Sequence, residues 1–235
     1  SITFHAPRWN RHGGQPDTAT NIAESCRFTP LPVLLKQSGY YTIHCGKAHF
    51  APRNTPGADP LNMGYDLNIG GYESGSPIRH DKRMQNPWYP PEGFQNYPNL
   101  STYLDGKTHL TDALTHAAID ALERWRTTPS TQGKPFYLAL SHYAVHTPLH
   151  NHLRSPFAND ESLVEHYADA QELREAQRKY ATMVEGMDAS LGALMRYLQD
   201  HTDDTGQPLA KNTVVIFFSD NGGHAIDRIR GGDVN

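Results

Sequence analysis

Three polar clusters in this chain carry the residue types needed to bind and cleave a charged ester: Gly46-Lys47-Ala48-His49, the histidines His142, His146 and His150, and Ser219-Asp220-Asn221-Gly222-Gly223-His224. Lys47 follows a glycine, which lets the backbone bend and the ammonium reach across a strand end toward an anion. His49 could share that anion or pass a proton near neutral pH. A lone Gly-Lys also suits a solvated turn, and the company of the other clusters is what favours the anion. Asp220 and Asn221 offer a carboxylate and an amide oxygen, natural ligands for a hard cation such as Ca²⁺ or Mg²⁺. The competing reading is an Asp-Asn-Gly turn whose side chains bond the local backbone. Two oxygens fall short of the roughly 6–8 that Ca²⁺ takes, so further ligands must come from elsewhere.

His142, His146 and His150 are spaced by four, which on a helix would put three imidazoles on one face and suggest zinc. Pro148 opposes that helix, because its ring clashes with the preceding turn. An extended loop with His146 facing a substrate, and with His142 and His150 structural or exposed, fits the residues better.

The elements that must position these clusters follow from pattern. Thr29-Pro30 opens a short helix that Gly39 can stop. Tyr40 to Cys45 and Pro135 to Leu140 read as strands, being rich in aromatic and β-branched residues. Thr213-Val214-Val215-Ile216-Phe217-Phe218 is a nearly continuous apolar run, as in a strand buried on both faces of a parallel sheet. Apolar periodicity predicts a helix from about Thr111 to Trp125. A second runs from about Ala168 to Leu198, with room for a break, and places Met183 and Met187 in the core. Residues 51–107 are dense in Pro, Gly, Asn and Tyr and read as an ordered insertion over one face. Its Tyr72, Trp88, Tyr89 and Arg79 suit either a substrate pocket or surface packing. The expected architecture is α/β, one catalytic domain over 1–235 with a mainly parallel central sheet flanked by helices, and its ligands beyond the carboxyl ends of the strands.

Composition bounds the partners. A net charge of −4 and the absence of a Lys/Arg run argue against nucleic acid. No stretch approaches the roughly 20 apolar residues of a membrane span. With only Cys26 and Cys45, no disulfide framework or four-thiolate zinc site can be built from this chain, and the compartment, periplasmic, secreted or cytoplasmic, stays open. Ser1 opens the sequence where an initiator Met is expected, so the true N-terminus is expected upstream. Oligomeric state leaves no signature.

In this order the clusters resemble the sulfatase family of the alkaline-phosphatase superfamily. Gly39-Tyr40-Tyr41-Thr42-Ile43-His44-Cys45-Gly46-Lys47-Ala48-His49 is similar to the family's stretch ending in Gly-Lys-x-His. Pro135 through His146-Thr147-Pro148 resembles its strand and His-x-Pro loop, Glu185 to Gly192 its long helix, and Val215 to Gly223 its metal-binding strand end. The resemblance implies that Asp220 and Asn221 are metal ligands, usually to Ca²⁺ with Mg²⁺ or Mn²⁺ as alternates. It implies that Lys47, His49 and His146 bind the sulfate and assist leaving-group departure, and that the substrate is a small-molecule or carbohydrate sulfate ester. The family's nucleophile is a formylglycine made from Cys or Ser in Cys/Ser-x-Pro-x-Arg. Arg8 to Gly13 resembles the stretch after that motif, while Ser1 and Cys26 lack its downstream Pro and Arg, so the nucleophile is expected outside this chain. The early Asp-Asp pair and the smaller C-terminal domain are also missing, and Asp233 stands where the family has another sulfate-binding Lys. This chain alone is therefore expected to be inactive. A phosphate- or phosphonate-ester hydrolase of the same superfamily, or a non-catalytic sulfatase-like binding protein, are the alternatives.

Overall fold

The computed structural model describes residues 29–77, 86–159 and 162–223. The expectations for Ser1, Arg8 to Gly13, Cys26, Arg79, His224 and Asp233 lie outside those residues. Helix α1 (Leu31–Gln37) begins after Pro30, whose extended φ/ψ suits a helix entry, and Gly39 at φ +89° turns the chain into β1 (Tyr41–Gly46). Strand β1 lies between β2 (Leu67–Ile69) and β3 (Phe136–Ser141), and both pairings are parallel. Ile43 faces Leu67 and Leu138 in the two registers. Gly46 pairs with Ser141, so β1 and β3 end at one edge of the sheet.

Helix α2 (Leu110–Thr127) packs on this sheet through Leu110, Ala113, Leu114, Ala117, Ala118, Ala121 and Leu122, each at most 1% exposed. Their spacing of three and four makes one continuous face, and each fully buried leucine contributes about 1.5–3 kcal/mol of transfer free energy. His109 caps the helix, its Nδ1 accepting from the Thr111 amide at 3.2 Å. Helix α3 (Glu175–Asp200) lies beside α2, with Met183 and Leu198 buried and Met187, Leu191 and Leu194 half-buried. The helix begins at Glu175, about seven residues later than the expected start near Ala168: residues 168–174 are turns that follow a short 3-10 turn (Glu165–Tyr167).

The 51–107 stretch does more than cover a face. It supplies β2, and Trp88, Tyr97, Leu100 and Leu104 enter the main core. Trp88 is fully buried, stacks on His109 at 5.2 Å and donates through Nε1 to the Pro148 carbonyl at 2.6 Å, so it serves packing.

One expectation is overturned. Thr213 to Phe218 is not a buried strand: it joins no sheet among the described residues, and Val214, Ile216, Phe217 and Phe218 are 76–86% exposed. It lines a cleft of about 1860 Å³ that β3 also lines. Every residue from Pro135 to Ser141 and from Thr213 to Ser219 lines this cleft, odd and even positions alike. Consecutive residues of a strand point to opposite faces, so both segments present their edges to the gap. An apolar run carries strand propensity, but a ladder also needs a neighbour about 4.8 Å away.

Candidate functional site

The carboxyl ends of β1 and β3 hold the first two clusters. At Gly46, φ is +101° and a Cβ would collide with the Ser141 carbonyl, so both backbone conformation and space require glycine there. The Lys47 amide then donates to that same carbonyl at 2.7 Å, which aims its side chain off the sheet edge. Lys47 Nζ reaches Asp220 Oδ2 at 3.4 Å, joining the first and third clusters across 173 residues of chain. The Asp220 side chain is 60% exposed, so the pair is screened and adds little to stability. What it does is bring an ammonium and a carboxylate to one point in the lining of the cleft.

His49 sits at φ +51° with its amide donating to the Tyr72 carbonyl at 3.0 Å. Partial burial of its ring, and then the nearby Lys47 and His146, lower its pKa from the ordinary value. Lys47, His49 and His146 all line the cleft together with Asp220 and Asn221. His146 is exposed, and its Nδ1–H donates to the Thr147 carbonyl at 2.8 Å, because a carbonyl can only accept. In the neutral ring the bare nitrogen is therefore Nε2.

The three loop histidines do not converge. His142 turns inward to Ser190 Oγ at 2.9 Å, and His150 Nδ1 lies 3.3 Å from Asn86 Nδ2. Among the described residues no group of three or more His, Cys, Asp or Glu is arranged to hold a metal ion. Asp220 and Asn221 fit a hard cation by the chemistry of their oxygens and by lining the cleft, yet supply two donors only. The Gly222 amide also bonds Ser219 Oγ at 2.9 Å, so the local turn weighed from sequence exists beside the candidate ligands.

Glu73, Gly75 and Ser76 also line the cleft and were missed by sequence reasoning, the only signal being a Ser/Gly-rich stretch after Tyr72. A Cβ at Gly75 would stand 2.5 Å from His49 Nδ1. Gly75→Ala, made in the full-length protein, is therefore expected to push the His49 ring aside, and any turnover that depends on His49 should fall about tenfold. Steady-state kinetics against a thermal melt would check this, a melt within a few degrees of wild type being the accompanying expectation.

A family model described as Sulfatase matches residues 10–233. The N-acetylgalactosamine-6-sulfatase of Homo sapiens is 29% identical over 218 residues, covering 87% of this chain and 34% of that protein. A protein of Formosa agariphila named Sulfatase is 27% identical over 223 residues, covering 80% of this chain and 38% of its own length. The chain thus spans little more than a third of the curated relatives it matches. A solved structure, Ps i-CgsB in complex with k-i-k-neocarrahexaose, aligns with a TM-score of 0.48 at 23% identity, covering 72% of this chain and 36% of the other.

Proposed function

Because the chain belongs to the sulfatase family, we propose that the full-length protein hydrolyses a small-molecule or carbohydrate sulfate ester, with Lys47, His49 and His146 at the sulfate and a divalent cation on Asp220 and Asn221. The observation that supports this most directly is the approach of Lys47 Nζ to Asp220 Oδ2 at 3.4 Å beside His49. A cation bound to the Asp220 side would let the ammonium and the metal share one sulfate between them. That cation is Ca²⁺ in this reading, with Mg²⁺ or Mn²⁺ as substitutes, and its other oxygens come from outside the described residues. The nucleophile is a formylglycine made from Cys or Ser in a segment outside this chain, and the apolar cleft is the space in which that segment packs.

The metal, when bound, supplies a Lewis acid for charge on the sulfuryl oxygens. The chain's own residues bind the sulfate and move protons. Lys47 Nζ holds an anionic sulfate oxygen and stabilises it as negative charge builds. His49, whose pKa is lowered by burial and then by its cationic neighbours, can accept the proton that the nucleophile's hydroxyl gives up as it attacks sulfur. His146, held by its Nδ1–H bond to the Thr147 carbonyl, can deliver a proton from Nε2 to the departing alcohol oxygen only from the doubly protonated ring, which is the form assigned to it here. His49 and His146 thus have different duties, set by different surroundings.

The test is sulfate release from 4-nitrocatechol sulfate and from sulfated sugars, read by ion chromatography, by full-length protein whose modified residue has been verified by mass. Release that stops on chelation and returns with Ca²⁺ is the expected result. Phosphate esters cleaved faster than sulfate esters would move the assignment to a phosphohydrolase, and no turnover of either would make the protein a binding-only relative.

A further inference from the structure

Residues 142–155 carry His146 between two polar anchors set against α2 and α3. Before His146, His142 Nε2 lies 2.9 Å from Ser190 Oγ of α3, which lies 2.6 Å from Thr115 Oγ1 of α2. The last link sets the direction. The Thr115 hydroxyl donates to the Thr111 carbonyl at 2.7 Å, which commits its one hydrogen. Ser190 must then donate to Thr115, and His142 Nε2–H to Ser190. After His146, His152 Nε2 lies 2.7 Å from Asp112 Oδ2, and the Ser155 hydroxyl donates to Asp112 Oδ1 at 2.7 Å, all three residues being buried. A carboxylate only accepts, so His152 also carries its proton on Nε2.

Both helices present a matching face to the loop. Asp112 and Thr115 are three apart on α2, while Thr182, Gly186 and Ser190 are spaced by four on α3, so each set is aligned on one side of its helix. Thr182 Oγ1 accepts from the His152 amide at 3.1 Å. Gly186 makes room for the ring, since a Cβ there would collide with His152 Nδ1. Glycine is unfavourable inside a helix of 26 residues, and here the imidazole gives the reason for it.

We propose that Asp112, His152 and Ser155 on one side, and His142 and Ser190 on the other, are positioning residues that set His146 against the sulfate ester. The proposal rests on the role given to His146 above. Neither anchor touches the substrate; each fixes one end of the loop to the two helices, and His146 is the residue through which they act.

The experiment uses the full-length protein carrying Asp112→Asn, with Ser190→Ala as the variant that spares the buried carboxylate. The carboxamide that replaces the Asp112 carboxylate would still accept from Ser155 but would offer an N–H to His152, forcing the other tautomer and turning a ring N–H against Gly186. The expected result is a loss in kcat on 4-nitrocatechol sulfate of about 10–100-fold with KM within about threefold, the scale of effect that misplaced groups produce. Made on a His146→Ala background, the same substitution should cost less than about threefold further, because the group it positions is gone. Amide hydrogen exchange over residues 143–151 should rise about tenfold or more in either variant, while α2 keeps its protection. Multiplying losses in the double variant, or unchanged exchange over 143–151 in both variants, would overturn the proposal. If the wild type cleaves no sulfate ester, the functional reading fails on its own, and the exchange comparison still decides whether the anchors hold the loop.

Discussion

Replacing Lys47 by Ala in the full-length protein should lower kcat/KM for an aryl sulfate by about 10²–10³-fold, the usual loss when a stabilising group at a developing anion is removed. Lys47 is the cation that the fold carries to the end of β1, and its neighbour Asp220 is an anion. Without the ammonium, the carboxylate faces the sulfate with less compensation. Two unit charges about 4 Å apart interact by about 4 kcal/mol at an effective dielectric near 20, enough to account for such a loss. Stability should hardly change, because the exposed Asp220 makes the pair worth little to the fold. Lys47→Arg should recover part of the activity, since it keeps the charge but replaces a compact ammonium by a planar fork. Turnover of the alanine variant within threefold of wild type, at unchanged melting temperature, would remove Lys47 from the anion site.

Acid should destabilise the protein between about pH 6.5 and 4, beginning before ordinary carboxylates are protonated. Burial pushes His44 and His142 down to about 4 and lowers His109 well below its usual value, so all three rings are neutral in the fold at pH 7. In the unfolded chain they titrate near 6.5. Between these values the unfolded state binds more protons, and stability therefore rises with pH. The stabilisation is complete above about 6.5 and is lost as pH falls toward about 4. At pH 4.5, His44 and His142 would each have withdrawn about 2–3 kcal/mol, a large share of a typical net stability of about 5–15 kcal/mol. The melting temperature should fall by roughly 10–20 °C between pH 7 and 4.5. His142→Gln should flatten part of that slope. A melt shifted by only a degree or two across this range would show that the buried rings do not control it.

The strands β1 and β3 were legible because aromatic and β-branched runs end at Gly46 and at the polar Ser141, and both were placed to within one residue. Helix α2 was legible because its alanines and leucines recur at one period. Strand β2 was not. It is three residues long with Asn68 at its centre, whose carboxamide bonds both the amide and the carbonyl of Gly71, a tertiary arrangement that no period announces. Thr213 to Phe218 failed for the opposite reason: composition reports strand propensity, while pairing depends on what lies alongside. Of the proposed site, Lys47, His49, His146, Asp220 and Asn221 could be named from their types and their places after apolar runs. The anchors around His146 could not. Asp112, Thr115 and Ser190 read as ordinary polar positions on helices, and only the packing of α2 against α3 reveals that they are buried and joined.

The exposed segment from Thr213 to Phe218 has a bearing on handling the molecule. It is six residues of β-branched and aromatic types, uncharged and without proline, lining the same cleft as β3. Stretches of this composition stack with copies of themselves as dry zippers, and an edge strand offers them a template. Lys211 on one side and Asp220 on the other act as gatekeepers, close enough to discourage stacking by like-charge repulsion and too few to prevent it at high concentration. Recombinant production of these 235 residues should therefore favour inclusion bodies, and solubility should improve first with a charge placed at Ile216 or Phe218.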